Sequence, residues 1–410
     1  MERVVVTGIG GLCAFGADWP SFERGLRAGR NAVRRVEAWE RYEEMGTRLA
    51  APSPDFAPPV HWTRKQLRSM GRVSQLAVRA SELALADAGL LGDRDLGDGR
   101  MGVACGSSVG STADISDFAQ MLLNGRSADL NANSYVRMMP HTTAANIGIF
   151  FGLTGRIIPT SSACTSGSQG IGYAFEAIRN GQQQSMLAGG AEELCPSQAM
   201  AFDMLYATSR RNDSPQAVPQ PYDRDRDGLV VGEGAGMLVL ESLGSAQARG
   251  ARILGEIAGF ASNSDGSHVT RPREDTMRRV MELALGVAGI EPGRVGYVNG
   301  HGTSTEHGDI AETQATSAVF GPRMPISSQK SYLGHTMGAC GALEAWVTIN
   351  GLRSGWFPPT INLVNVDPRC GELDYITGPG RCIDAEYAMS NNFAFGGVNT
   401  SLIFKRYGDR

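Results

Sequence analysis

The chain has 410 residues with 38 basic and 42 acidic side chains, a net charge of −4, which removes bulk electrostatic attraction to nucleic acid or anionic membranes. Its length exceeds the ~100–200 residues of one ordinary domain and calls for two domains or one duplicated fold. Hydrophobic residues make up 42% and charged residues 20%, a globular balance, and the 53 glycines are nearly twice the usual ~7% share, which implies many tight turns and close backbone approaches.

From the N-terminus onward, strands are expected at residues 4–8, 101–106, 156–161, 186–190, 237–243 and 295–300, with helix-period segments between several of them. That alternation reads as α/β with mostly buried strands. Residues 82–90 reappear at 282–290 with six of nine identical. The helix end Ile178-Arg179-Asn180-Gly181 is echoed by Leu352-Arg353-Ser354-Gly355. The reading is two similar halves, 1–250 and 251–410, divided near the small-residue connector 244–250. No low-complexity tether separates them.

Seven cysteines, odd in number and without C-x-x-C, argue against a disulfide framework or structural zinc and for a reducing, cytoplasmic setting. The first residues enter a strand-like run without the regions of a signal peptide. The longest apolar stretch, 147–153, falls far short of the ~20 residues of a membrane span. Gly8-Ile9-Gly10-Gly11-Leu12-Cys13 lacks the third glycine of a dinucleotide fingerprint. The six histidines show no metal-ligand spacing, so no catalytic metal is expected.

Four segments carry possible chemistry. Cys164 follows a strand-like run and precedes an amphipathic helix, where the positive helix end would favour thiolate and lower the thiol pKa. A strand delivers His301-Gly302-Thr303-Ser304-Thr305 into a polar turn. Residues 327–335 supply Lys330 and His335 ahead of a small-residue helix. Residues 391–399 form a glycine turn beside Phe393 and Phe395, a candidate oxyanion hole. Singly, each segment is also compatible with a cap, a turn or core packing.

Together, the segments resemble the β-ketoacyl-acyl carrier protein synthases of the condensing-enzyme family, particularly the synthase II type. The matching pieces are Ala163 to Gly167, His301 to Thr305, Lys330 to His335 and Asn392 to Asn399. The resemblance implies a duplicated, five-layered αβαβα thiolase-like fold. It implies that Cys164 accepts an acyl group from a carrier-protein phosphopantetheine thioester, with N–H groups of Cys164 and Phe395 holding the oxyanion. His301 and His335 would stabilise the enolate formed when a malonyl thioester loses carbon dioxide. Lys330 would support the site electrostatically, with Glu344 as first partner and Glu312 as a second acidic neighbour. Thr303 and Thr305 would bind the pantetheine arm, Phe395 would gate the acyl pocket, and Val109, Phe202 and Phe393 would contact substrate. No bound cofactor is implied, because the carrier supplies the phosphopantetheine.

Arg64, Lys65, Arg68 and Arg72, at near-helical spacing, and Arg210-Arg211 are the expected docking sites for an acidic acyl carrier protein. Glu306 and His307 stand where relatives commonly carry proline and an apolar residue, and Ala394 and Val398 replace frequent glycine and threonine near the gate. These departures bear on acyl chain length. Met138 to His141 and Ser161 to Cys164 are similar to synthases of aryl-polyene-type pathways. Family members are generally dimers, leaving a homodimer or a heterodimer with a chain-length partner. The competing readings are a noncatalytic chain-length partner, which usually lacks the cysteine, a thiolase or synthase III relative, and a cysteine-dependent acyl hydrolase.

Overall fold

The computed structural model describes residues 1–408 apart from 55 and 129. Its main sheet comprises β1 (Val4–Leu12), β2 (Met101–Gly106), β3 (Ile157–Pro159), β4 (Ser185–Glu192), β5 (Gly234–Ser242), β6 (Gly255–Ser264), β7 (Val295–Asn299), β8 (Pro325–Ser327), β9 (Asp374–Tyr375), β10 (Tyr387–Ala394) and β11 (Val398–Lys405). The strand order is β9-β8-β7-β10-β11-β6-β1-β5-β4-β2-β3. Outward from the centre, β1-β5-β4-β2-β3 and β6-β11-β10-β7-β8 follow the same permutation. The two series join where Val4, Val5 and Val6 pair antiparallel with Ile257, Glu256 and Gly255.

The principal helices are α1 (Arg72–Asp87), α2 (Thr112–Asn124), α3 (Ser166–Arg179), α4 (Glu274–Ala288), α5 (Glu306–Phe320) and α6 (Cys340–Ser354). Helix α1 lies on β1 and β5, and α4 on their counterparts β6 and β11. Helices α3 and α6 pack on each other and on the opposite faces of the two series, which completes a five-layered αβαβα arrangement. Residues Cys340 to Leu352 of α6 are all buried, as a helix between two sheet layers must be. The repeated sequences occupy equivalent places. Residues 82–90 and 282–290 close α1 and α4 through left-handed Gly89 and Gly289, and the second echo closes α3 and α6 through left-handed Gly181 and Gly355.

Two local expectations need correction, and the connector between the halves takes a defined form. Strand β1 continues through the glycine cluster to Leu12. A Cβ on Gly8 would lie 2.4 Å from the Ala84 carbonyl oxygen, and one on Gly10 2.3 Å from the Ala84 nitrogen. These glycines let helix α1 settle onto the strand. The connector near 244–250 is mostly a short helix, Leu243–Ala248, whose N-terminus is capped by Ser242. The basic residues 64–72 do not share one helix: a single turn, Arg64–Leu67, ends before α1 starts at Arg72. Among the described residues, no helix is long and apolar enough to cross a membrane.

Candidate active site

Two matching turns bring the chemistry together. The turns Ala163–Thr165 and Met337–Ala339 immediately precede α3 and α6, and each begins with a left-handed non-glycine residue, Ala163 at φ 52° and Met337 at φ 40°. Such conformations cost on the order of 1–3 kcal/mol and persist only where surrounding structure enforces them. Here the enforcement is close packing of the two helix starts. A Cβ on Gly167 would stand 2.9 Å from the Gly338 carbonyl oxygen and 3.1 Å from the Ala342 nitrogen. Gly167→Ala is therefore expected to destabilise the protein by about 1–3 kcal/mol through overpacking and to slow acylation of Cys164. Thermal unfolding and single-turnover acylation measure the two effects separately.

The approach places His335 Nε2 2.9 Å from Cys164 Sγ. His301, carried just past β7, sets its ring 5.2 Å from that of His335 at 89°. The sulfur and one nitrogen of each imidazole lie within 4.8 Å of one another, all three residues being buried. This spacing is also one that metal ligands adopt, but the groups behind the rings suit a different task. Lys330 Nζ approaches His301 Nδ1 at 3.1 Å, and the Met337 N–H donates to His335 Nδ1 at 3.3 Å. With both Nδ1 atoms accepting, both protons reside on Nε2. Metal-bound imidazoles instead donate their outer N–H to an acceptor. The pair is thus set to donate hydrogen bonds to an oxygen or sulfur carrying negative charge.

Burial, followed by the positive charge of Lys330, pushes both histidines well below their ordinary pKa. They are neutral. An imidazolium would need a proton on Nδ1, facing the Lys330 ammonium in one case and a backbone N–H in the other. Lys330 is itself held in charged form 2.5 Å from Glu344, with both side chains almost fully buried. Asn392 Nδ2 donates to the other Glu344 oxygen at 2.7 Å. Glu312 makes no direct ion pair with Lys330 but acts on it electrostatically as the second acidic neighbour. It accepts the backbone N–H groups of His301 and Gly302, the latter at 2.7 Å, and so shapes the turn that presents the imidazole. Burial raises its carboxyl to about 8.

Cys164 departs from the expectation of a lowered thiol pKa. Burial pushes the thiol up to about 12, and Lys330 and the backbone N–H groups of Phe395 and Cys164 only oppose it. The helix end offers its N–H groups, but in this closed site desolvation outweighs them. The resting nucleophile is a thiol, and the surrounding donors stabilise negative charge as bonds rearrange.

The Phe395 backbone belongs to the turn between β10 and β11, where Gly396 and Gly397 take φ values of 86° and 70°. Phe395 is 38% exposed, and its ring meets that of Phe202 at 5.1 Å. Phe393 lies 6.0 Å from His301, ring to ring. A cleft of about 100 Å³ lined by His301, Thr305, His307, Phe393 and Phe395 leads outward from the histidine. Thr303 and Thr305 share a hydroxyl hydrogen bond of 2.8 Å beside it. Val109 falls elsewhere, lining a separate apolar cavity with Tyr42, Ile115 and Met200.

Of the expected docking residues, three also hold partners within the fold while keeping 37–48% of their side chains exposed. Arg72 forms a two-pronged pair with buried Glu233 at 2.7 and 2.9 Å, and Arg210 pairs with Asp203 at 3.0 Å. Arg211 binds Gln220 at 2.6 Å and the Asp225 carbonyl. Arg64, Lys65 and Arg68 are exposed. Sequence reasoning does not find Glu192, which accepts N–H groups from Ser108 at 2.8 Å and Gly338 at 3.0 Å and so ties the second turn in place. Nor does it find Cys340, whose thiol sits against the Cys164 carbonyl at 3.3 Å. Neither residue has a local pattern that marks it.

A twofold-repeated αβαβα fold with a cysteine and two neutral imidazoles at the meeting of its central helices defines a thiolase-like acyl-transfer enzyme. The N-terminal domain of the β-ketoacyl synthases matches residues 1–246, and their C-terminal domain matches residues 254–364. The 3-oxoacyl-[acyl-carrier-protein] synthase 2 of Vibrio cholerae is 38% identical over 413 residues, covering 99% of each chain. A β-ketoacyl synthase from Burkholderia phymatum superposes with a TM-score of 0.99 at 61% identity over the full length of both chains. A ketosynthase solved with its type II polyketide acyl-carrier protein has a TM-score of 0.88 at 31% identity, covering 99% of this chain and 100% of that one. The chain belongs to the β-ketoacyl synthase family, and it is a condensing acyltransferase.

Proposed function

We propose that this enzyme lengthens a carrier-bound acyl chain by two carbons in a decarboxylative Claisen condensation with a malonyl thioester. The observation that carries the reading is the convergence of Cys164 Sγ with two imidazoles whose Nδ1 atoms face donors. In the first half-reaction Sγ attacks the acyl thioester, N–H groups of Cys164 and Phe395 hold the oxyanion, and the thiol proton departs with the pantetheine thiol. In the second, the malonyl thioester oxygen accepts the Nε2–H groups of His301 and His335. Carbon dioxide leaves, and the enolate carbon attacks the acyl-Cys164 carbonyl. Expulsion of the sulfur as thiolate yields the 3-oxoacyl thioester, and a proton from solvent restores the resting thiol.

The cleft past His301, Thr305 and Phe395 suits a slender pantetheine arm that the carrier itself brings, so no resident cofactor is required. Incubation with acyl- and malonyl-carrier proteins tests the assignment. Carbon dioxide release with a two-carbon-longer product supports condensation, whereas free acid alone supports a cysteine hydrolase. A panel of saturated and polyunsaturated acyl carriers, read by intact mass, tests whether the pathway is of the aryl-polyene type.

Exposed Arg64, Lys65 and Arg68 are the proposed contacts for an acidic carrier. Replacing all three with Glu should weaken carrier binding and flatten its salt dependence. Unchanged affinity at low ionic strength would locate docking elsewhere. A homodimer is the proposed assembly, because β3 is one of the two edges of the sheet and Ile157 on it and Ile149 on the adjoining helix stand exposed. Ile149→Asp combined with Ile157→Lys is expected to yield monomers by analytical ultracentrifugation.

A further inference from the structure

The condensation leaves a buried nucleophile beside the reacting sulfur without a task. Cys340, the first residue of α6, is 2% exposed and lies beside Cys164, which is 5% exposed. Its thiol donates to the Cys164 carbonyl at 3.3 Å, and Asn392 Nδ2 stands 3.6 Å from its sulfur. Lys330 acts electrostatically on both sulfurs. The turn bearing Cys164 packs directly on the first turn of α6, and the Gly167 to Gly338 contact holds the two backbones together. All seven cysteines are free, so neither sulfur is already held in a disulfide.

We propose that Cys164 and Cys340 form a reversible disulfide when the enzyme meets a hydroperoxide, making the pair an oxidative modification site. The inference rests on Cys164 being the reactive nucleophile of the proposed function. Cys164 sulfur takes the terminal hydroxyl of the hydroperoxide, the O–O bond breaks, and the thiol proton passes to the departing oxygen, which leaves as alcohol or water, giving a sulfenic acid. Cys340 sulfur then attacks the sulfenic sulfur, the S–O bond breaks, and the hydroxyl leaves as water with the Cys340 proton. To form the bond the Cys340 thiol leaves the Cys164 carbonyl it now faces and turns toward the Cys164 sulfur. The benefit is chemical: a disulfide is restored by thiols, whereas sulfinic acid is not.

The test exposes the full-length enzyme to limited hydrogen peroxide, followed by intact-mass analysis and non-reducing peptide mapping. The expected product is lighter by two hydrogens, links the peptides of Cys164 and Cys340, and regains condensing activity with dithiothreitol. Cys340→Ala and Cys340→Ser should accumulate sulfinic acid at Cys164 and lose recovery by thiol. If the native enzyme forms sulfinic acid at Cys164 as readily as these variants, or links either cysteine to another partner, the proposal is overturned. Acylation of Cys164 by an acyl carrier, measured on the same preparation, separates failure of the disulfide from failure of the nucleophile assignment.

Discussion

Cys164→Ala is expected to abolish chain elongation, by at least ~10³-fold, while malonyl-carrier protein still loses carbon dioxide. The two half-reactions draw on different groups. Acyl transfer needs the sulfur, but decarboxylation needs only the oxygen cradle made by His301 and His335, whose orientation is set by Lys330 and the Met337 N–H. Neither contact passes through Cys164. Exchanging His301 or His335 for Ala should produce the complementary pattern: acyl-enzyme forms, and decarboxylation falls roughly 10²–10³-fold per lost donor. Intact-mass detection of acyl-enzyme together with carbon dioxide release resolves the two phenotypes. Normal elongation by the Cys164 variant would refute covalent catalysis.

Lys330→Met should be the most destabilising single change in the site, at roughly 3–5 kcal/mol, because it leaves the Glu344 carboxylate buried without its cation. Adding Glu344→Gln should restore most of that loss. The pH dependence follows in sign. Glu344 is already raised by burial, against the opposing charge of Lys330, so removing the lysine raises it further. A folded-state pKa above the unfolded one means native protonation: the variant is least impaired in acid and progressively less stable as pH rises through the folded value. For catalysis, burial first and Lys330 second depress His301. The native rate should show no acid inflection near the ordinary histidine value of ~6.5, and the double variant should acquire one at higher pH than the native enzyme. Chemical denaturation across pH and a kcat/KM profile measure these effects. An unchanged acid limb would show that Lys330 does not tune His301.

The large sheet is legible in the sequence because its strands are short apolar runs that close on glycine or small polar residues. The duplication is legible because equivalent helices repeat the same apolar spacing and the same left-handed glycine ending. Strand β1 looks shorter in the sequence than it is: glycines ordinarily punctuate turns, and only the helix α1 backbone at 2.3–2.4 Å from the missing Cβ positions shows why they occur within a strand. The basic run from Arg64 to Arg72 looks like one face, since spacing alone does not reveal that Arg72 is claimed by Glu233, a partner 161 residues away in the chain.

At the site, local pattern marks Cys164, His301, Lys330 and His335 only as candidates beside small-residue turns, and the resemblance of the four segments taken together to the β-ketoacyl synthases singles them out. Their protonation states are another matter. Which reactive groups exist, and which local segments present them, can be read from the order of residues, since both depend on neighbours along the chain. That Cys164 rests as a thiol, that Glu312 holds backbone N–H groups besides neighbouring Lys330, and that Cys340 adjoins the nucleophile emerge only in the folded molecule. Desolvation and hydrogen-bond partnership arise from groups remote in sequence, and they come into being only when the two central helices close on each other.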